Sequence, residues 1–173
     1  AKANIFKKVI GDNQPFDIRQ VKGCECAEQF WWGGDWYYEN LPAGGSWIVW
    51  DKRTEKSDKL MGNTFEMCWS KKRHRREFIR HYWKGVVNKD AGETERYHPT
   101  QKPAPVMEFI LEKYTKACGV VYDPFLGSGT TLIACERLGR KCRAVEIAPG
   151  YVGVALERWA QMTGGEPELH LHN

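Results

Sequence analysis

The stretch Asp123-Pro124-Phe125-Leu126-Gly127-Ser128-Gly129-Thr130-Thr131 decides how this chain folds. Ahead of it runs Gly119-Val120-Val121-Tyr122, a short apolar segment with the composition of a buried strand. Behind it, residues 130–138 keep helical spacing until Gly139 closes them. A strand that passes through a glycine turn into a helix puts the turn at its carboxyl end, where open α/β sheets bind ligands. Gly127 and Gly129 allow a tight turn and a close approach of backbone to ligand. The helix start at Thr130 offers unpaired N–H groups and a positive dipole end to an anion. The turn is not a P-loop, since no Gly-Lys-Ser/Thr follows, and Leu132 stands where the third glycine of GxGxxG belongs.

Outward from this stretch the pattern continues. Pro103 suits a first helical turn, and Val106, Phe109, Ile110, Lys113 and Tyr114 keep helical spacing as far as Gly119. A second strand is expected over 142–147, and Pro149 starts a helix that reaches about Met162. The order strand, turn, helix, strand, helix implies right-handed crossovers and a parallel sheet. Glu146 ends the second strand, 23 positions after Asp123. An acid in that place of a βαβ unit reaches two ribose hydroxyls and accepts from both. By itself a strand-end Glu is an ordinary surface residue; the glycine turn before it points to a nucleoside.

The 173 residues suit a single domain with four zones: 1–50, 51–97, 98–162 and a polar tail over 163–173. Hydrophobic residues at 42% and charged residues at 28% exclude a disordered chain. In the first zone, Phe30-Trp31-Trp32 before Gly33-Gly34 and Ser46-Trp47-Ile48-Val49-Trp50 after Gly44-Gly45 read as short strands. The second zone holds Lys71-Lys72-Arg73-His74-Arg75-Arg76 between strands expected over 65–69 and 77–83. Net charge of +4 permits a polyanionic partner. No apolar run approaches the ~20 residues of a membrane span, and the start lacks a signal sequence, so the cytoplasm is expected. Cys24 and Cys26 are the close pair among the cysteines, a spacing unsuited to structural zinc. His170 and His172 sit in the tail, and no metal is expected.

The run 123–131 resembles the cofactor motif of the amino-group DNA methyltransferases, which make N6-methyladenine or N4-methylcytosine. His98-Pro99-Thr100-Gln101-Lys102-Pro103 is similar to the block those enzymes carry just before that motif. Glu146-Ile147 with Pro149-Gly150-Tyr151 resembles their ribose-binding strand end and next helix. A cofactor half at the C-terminal side matches the β class. Trp32-Gly33-Gly34, the run 47–52 and Glu66-Met67-Cys68-Trp69-Ser70 resemble short phage and prophage members, such as accompany restriction-modification. The resemblance implies a Rossmann-like α/β sheet with helices on both faces and S-adenosylmethionine as methyl donor. It assigns Asp123 to the methionine ammonium, the turn at 127–130, with Gly127 and Gly129, and the helix start to its carboxylate, and Glu146 to the ribose, with Pro124 among the cofactor contacts. Phe125 and Ile147 flank the adenine, and Thr100 and Lys102 are second contacts. Ser128, Thr130 and Thr131 supply hydroxyls that bond the cofactor or cap the helix.

The family's catalytic block, a polar residue followed by Pro-Pro and an aromatic residue, is not found in this chain. Its nearest string is Asn13-Gln14-Pro15-Phe16, in which Asn13 and Phe16 are the candidates for the polar and stacking groups. The expectation is therefore a sheet incomplete on its N-terminal side, lacking a central strand, and little methyl transfer by the chain alone. A homodimer, or a second chain bringing that block, is the expected partner besides double-stranded DNA. Lys71, Lys72, Arg73, Arg75 and Arg76, with Lys52, Arg53, Lys56 and Lys59 nearby in sequence, are the candidates for backbone phosphates. Of Trp31, Trp32, Trp36, Tyr37 and Tyr38, most are expected in the core and one or two at a base pocket. The expected reaction is methyl transfer to an exocyclic amino group of DNA, adenine N6 ahead of cytosine N4. The alternatives are an inactive cofactor- or DNA-binding remnant, and a methyltransferase acting on RNA or a small molecule.

Overall fold

A computed structural model of the chain describes residues 9–11, 13–14, 16–21, 25–53, 63–83 and 97–171. Pro15, Cys24, Lys56, Lys59 and His172 lie outside the described residues. Two units organise the chain, Gly11–Glu95 and Arg96–Asn173 with Ala1–Ile10.

In the unit Gly11–Glu95, aromatic and β-branched residues bounded by glycine form four strands. These are β1 (Phe30–Trp32), β2 (Ser46–Asp51), β3 (Phe65–Ser70) and β4 (Glu77–Arg80). Their spatial order is β1-β3-β2-β4. β3 runs antiparallel to both neighbours, with Ser46 opposite Ser70 and Asp51 opposite Phe65 at the two ends of its pairing with β2. β4 runs parallel to β2, starting from Ile48 opposite Glu77. The core forms along β2, where Ile48 and Trp50 are fully buried, joined by Cys68, Trp69 and Ile79. Burial leaves the Trp50 indole N–H needing an acceptor, and the carbonyl of His81 supplies it at 2.9 Å. The strand expected over 77–83 stops at Arg80, although the His81 amide still bonds to the Asp51 carbonyl.

Asp51 ends β2 with its side chain 2% exposed, and Arg53 reaches it through Nε at 2.9 Å and Nη2 at 3.2 Å. Lys52 pairs with Glu66. Lys52 and Arg53, expected near phosphates, thus have acids of their own chain as partners. The Arg53 hydrogen bonds hold the Asp51 carboxyl below the usual carboxylate range, against the opposing effect of burial.

The second unit contains α1 (Ala104–Tyr114), β5 (Val120–Asp123), α2 (Thr130–Arg137), β6 (Lys141–Ala144) and α3 (Pro149–Thr163). β5 and β6 are parallel, from Val120 opposite Lys141 to Asp123 opposite Ala144, as the strand–helix–strand order requires. Helix α2 packs on α1, β6 and α3. Leu111, Ala134 and Cys135 form one buried cluster, with Met107, Val121, Leu138 and Cys142 against it. Helix α1 ends at Tyr114, short of Gly119, because Thr115 is extended and Arg140 takes over the end. The Arg140 guanidinium donates to the carbonyl of Thr115 at 3.2 Å, an acceptor that the helix end leaves open, and lies 3.4 Å from that of Leu111, which already accepts the Thr115 amide. No helix among the described residues is long and apolar enough to cross a membrane.

A depressed carboxyl stabilises the folded state above the unfolded pKa, and that stabilisation is lost as pH falls through the folded pKa. Asp51→Asn should therefore be less stable than the native chain at pH 7, with the difference shrinking below about pH 4, the unfolded carboxyl range. Thermal midpoints at pH 7 and pH 3 read this directly; an equal gap at both pH values would show that the ion pair contributes nothing.

Candidate functional site

The parallel ladder of β5 and β6 does not stop at its last paired residues. The Val145 amide bonds to the Asp123 carbonyl at 2.9 Å, and the Leu126 amide bonds to the Val145 carbonyl at 3.0 Å. These bonds hold the chain beyond β6 against the turn that follows Asp123, the last residue of β5. Glu146 stands two residues beyond β6, which ends at Ala144 and not at the expected 147. Its carboxylate is the reason for the turn: Oε2 accepts the Gly127 amide at 2.7 Å and Oε1 the Ala148 amide at 2.8 Å. One side chain thus anchors the glycine turn and the entry to α3.

The turn is built from local hydrogen bonds. Asp123 Oδ1 accepts the Phe125 amide at 2.9 Å, and the Gly129 amide bonds to the Leu126 carbonyl at 3.0 Å. Gly127 (φ +55°) and Gly129 (φ +87°) hold left-handed backbone. A Cβ on Gly129 would lie 2.7 Å from that of Ala155, so here α2 and α3 meet with no side chain between them. Gly129 caps α2 without a side-chain bond, and the amides of Thr130, Thr131 and Leu132 precede the first intrahelical bond.

The three hydroxyls divide. Ser128, 3% exposed, donates to Gln101 Oε1 at 3.1 Å, and Thr130, also buried, donates to the Lys102 carbonyl at 3.0 Å. Both join the turn to the block at 98–103 and neither caps α2. Thr131 is half-buried. Thr100 is exposed, its amide and hydroxyl both against His98 Nδ1, and Lys102 is half-buried. His98 is 8% exposed and lies on Tyr151, ring centroids 4.3 Å apart. Arg158, on α3, donates to the Ser128 carbonyl and covers Tyr97.

Three features of this site fit a polar ligand with a flat apolar part. Gln101 is 6% exposed; its Oε1 accepts the Tyr97 amide at 2.8 Å, which identifies the oxygen, while Nε2 has no hydrogen-bond partner among the described residues. A buried amide donor without an acceptor is costly unless something else completes it. Phe125 (56% exposed) and Ile147 (70% exposed) stand beside the two acids as open apolar surface, with Pro124 half-buried at the start of the turn. Lastly, the free amides at the start of α2 suit a carboxylate. Residue reading alone missed His98, Gln101 and Arg158. The first two lie inside the singled-out block, but only their burial marks them. Arg158 reaches the turn from 30 residues away and leaves no local signal.

In the other unit, Phe16 is packed among aromatics, 5.0 Å from Tyr37 and 6.1 Å from Trp31 between ring centroids. Asn13 is exposed in a turn. Trp36 (79%) and Tyr38 (63%) are exposed, whereas Trp32 packs edge-on to buried Trp50. Lys71, Lys72, Arg73, Arg75 and Arg76 are all exposed on one loop between β3 and β4.

Comparison with known proteins gives three findings. A model of the DNA methylase family matches residues 29–157. The Type II methyltransferase M2.LlaDCHI of Lactococcus lactis subsp. cremoris is 32% identical over 111 residues, 64% of this chain and 40% of its own length. Among solved structures, PvuII DNA methyltransferase (cytosine-N4-specific) covers 66% of this chain and 50% of its own, with TM-score 0.51 and 18% identity. The last shares the fold. The chain spans less than half the length of the curated relative M2.LlaDCHI.

Replacing Gly129 with Ala forces a Cβ into Ala155 and a side chain onto left-handed backbone. The expected loss is about 2–4 kcal/mol of stability, read by thermal or urea unfolding. A variant as stable as the native chain would disprove the close α2–α3 contact.

Proposed function

This chain belongs to the DNA methylase family, and on that premise we propose that it serves methyl transfer from S-adenosylmethionine to an exocyclic amino group of a DNA base. The observation that carries the reading is that two acids, Asp123 at the end of β5 and Glu146 just beyond β6, each accept an amide of the same glycine turn at the carboxyl ends of two parallel strands. When bound, S-adenosylmethionine supplies an electrophilic methyl group. Asp123 Oδ2, which has no hydrogen-bond partner among the described residues, is the acceptor for the ammonium. Glu146 keeps lone pairs for ribose hydroxyls beside its two amide bonds. The amides opening α2, with Gln101 Nε2, receive the carboxylate, and Phe125 and Ile147 cover the adenine. Thr100 and Lys102 stand on the adjoining block as second contacts.

The acceptor strand is met by charge. We assign the exposed run 71–76 to the phosphate backbone of double-stranded DNA, since its arginines have no acidic partners among the described residues. Such contacts position the duplex and carry little sequence information. A partner chain, a second copy or one that brings an acceptor-binding block, belongs to the same proposal and is read by light scattering with and without DNA.

Calorimetry with S-adenosylmethionine tests the cofactor site. Asp123→Ala should bind at least tenfold more weakly, because an ammonium loses its charged partner. Unchanged affinity in a folded variant would remove the site from Asp123. Labelled cofactor with unmethylated DNA, followed by nucleoside analysis, then identifies the base that takes the methyl group.

A further inference from the structure

The basic loop between β3 and β4 is not a loosely solvated charge run. Its middle residue, His74, is tied to two buried serines on neighbouring strands. The His74 amide donates to Ser46 Oγ at 2.7 Å, and Ser46 Oγ donates back to the His74 carbonyl at 3.0 Å. His74 Nδ1 lies 2.6 Å from the Arg75 carbonyl, which only accepts, so Nδ1 carries the proton and Nε2 is left to accept from the Ser70 hydroxyl. Ser46 and Ser70 are 7% and 0% exposed. The Lys71 amide is held by the Gln29 carbonyl and the Lys72 amide by Glu28. Lys71, Lys72, His74 and the Arg75 carbonyl are therefore each tied to the sheet or to the loop itself.

This loop borders a cavity of about 560 Å³ lined by Gly45, Ser46, Trp47, Arg73, Arg75 and Arg76, with His74 at its side. The Gly44-Gly45 turn makes its floor possible. A Cβ on Gly45 would meet the Ser70 carbonyl at 2.4 Å and Trp69 Nε1 at 2.6 Å. Trp69 itself donates to the Gly44 carbonyl at 3.1 Å, which keeps the turn down on the sheet. None of the three guanidiniums at the rim has an acidic partner among the described residues. Three exposed guanidiniums around one depression, with no anion of the protein's own to satisfy them among the described residues, suit the charge and the several acceptor oxygens of a phosphate.

We infer that this cavity is a preformed seat for a backbone phosphate of duplex DNA, and that His74 is the positioning residue that shapes it. The inference rests on the assignment of the 71–76 run to DNA and adds a requirement for shape to that of charge. A diffuse basic patch needs only its charges. A seat also needs its staple, although His74 need not touch the DNA.

The test compares variants of the full chain on one short duplex, by anisotropy across a salt series. His74→Ala keeps all three arginines and removes the side-chain ties to Ser70 and Arg75. It should weaken binding about tenfold and lower the salt slope by about 0.9 for the phosphate lost. His74→Gln, able to accept from Ser70, should recover most of both. Ser70→Ala, a small change at a buried position, should shift affinity and slope in the same direction as His74→Ala and serves if the latter fails to fold. Affinity for S-adenosylmethionine should stay at the native value in all of them. Native affinity and slope in both His74→Ala and Ser70→Ala would overturn the seat. The triple variant Arg73→Ala, Arg75→Ala, Arg76→Ala separates the two ideas. If it alone binds poorly, the run contacts DNA as a diffuse patch; if it also binds as the native chain does, the assignment of the run to DNA fails.

Discussion

The carboxylate of Glu146 accepting the amides of Gly127 and Ala148 is the interaction on which the candidate cofactor site depends. Gly127 sits in a turn whose left-handed backbone cannot use strand or helix hydrogen bonds. Its amide would be left open in a half-buried place, at a cost of about 1–3 kcal/mol. Glu146 fills that need and at the same time halts β6 and turns the chain into α3. The turn is held from its other side by Ser128 and Thr130, whose hydroxyls reach back to the block ahead of α1. Asp123, between these ties, keeps one carboxylate oxygen for its own turn and presents the other. The turn's own hydrogen bonds are thus made within the chain, while the amides opening α2 and a few side-chain atoms, Gln101 Nε2 among them, are left for something else to complete.

The other unit solves a similar problem with different residues. A loop of six basic and histidine residues repels itself, and without support it would sample many conformations. Ser46 and Ser70, placed opposite each other in the β2–β3 register, put two hydroxyls under one point of that loop. His74 meets both, so the strand pairing sets the shape of the charged surface above it. Lys52 and Arg53, equally basic in sequence, point to a different end: each has an acid of the same sheet. Charge count alone does not distinguish these groups; the partner each finds does.

Much of the fold was legible in the residues because its signals are local. The glycine turn, the proline helix starts at Pro103 and Pro149 and the aromatic strands around Trp47 and Trp69 each declare themselves within a few positions. β5, α2 and α3 accordingly stand where periodicity and turn chemistry put them, to within a residue or two. Elements whose ends meet distant partners are not legible in this way: α1 stops short of Gly119, where Thr115 turns extended and Arg140 takes its carbonyl, and β6 stops short of Ile147, where Glu146 is drawn to Gly127.

By itself the sequence determined the strand–turn–helix unit, the acids that flank it and the basic run, since each is written as a contiguous pattern obeying backbone stereochemistry. Only the tertiary structure decided that Ser128 and Thr130 face inward, that Gln101 has a buried amide group to offer, and that His74 is a staple and not one more charge. Those outcomes rest on contacts between residues 27 and 28 positions apart. No local preference encodes such a contact; it exists because burial withdraws water from polar groups, which then bond to whatever partner the packing brings within reach.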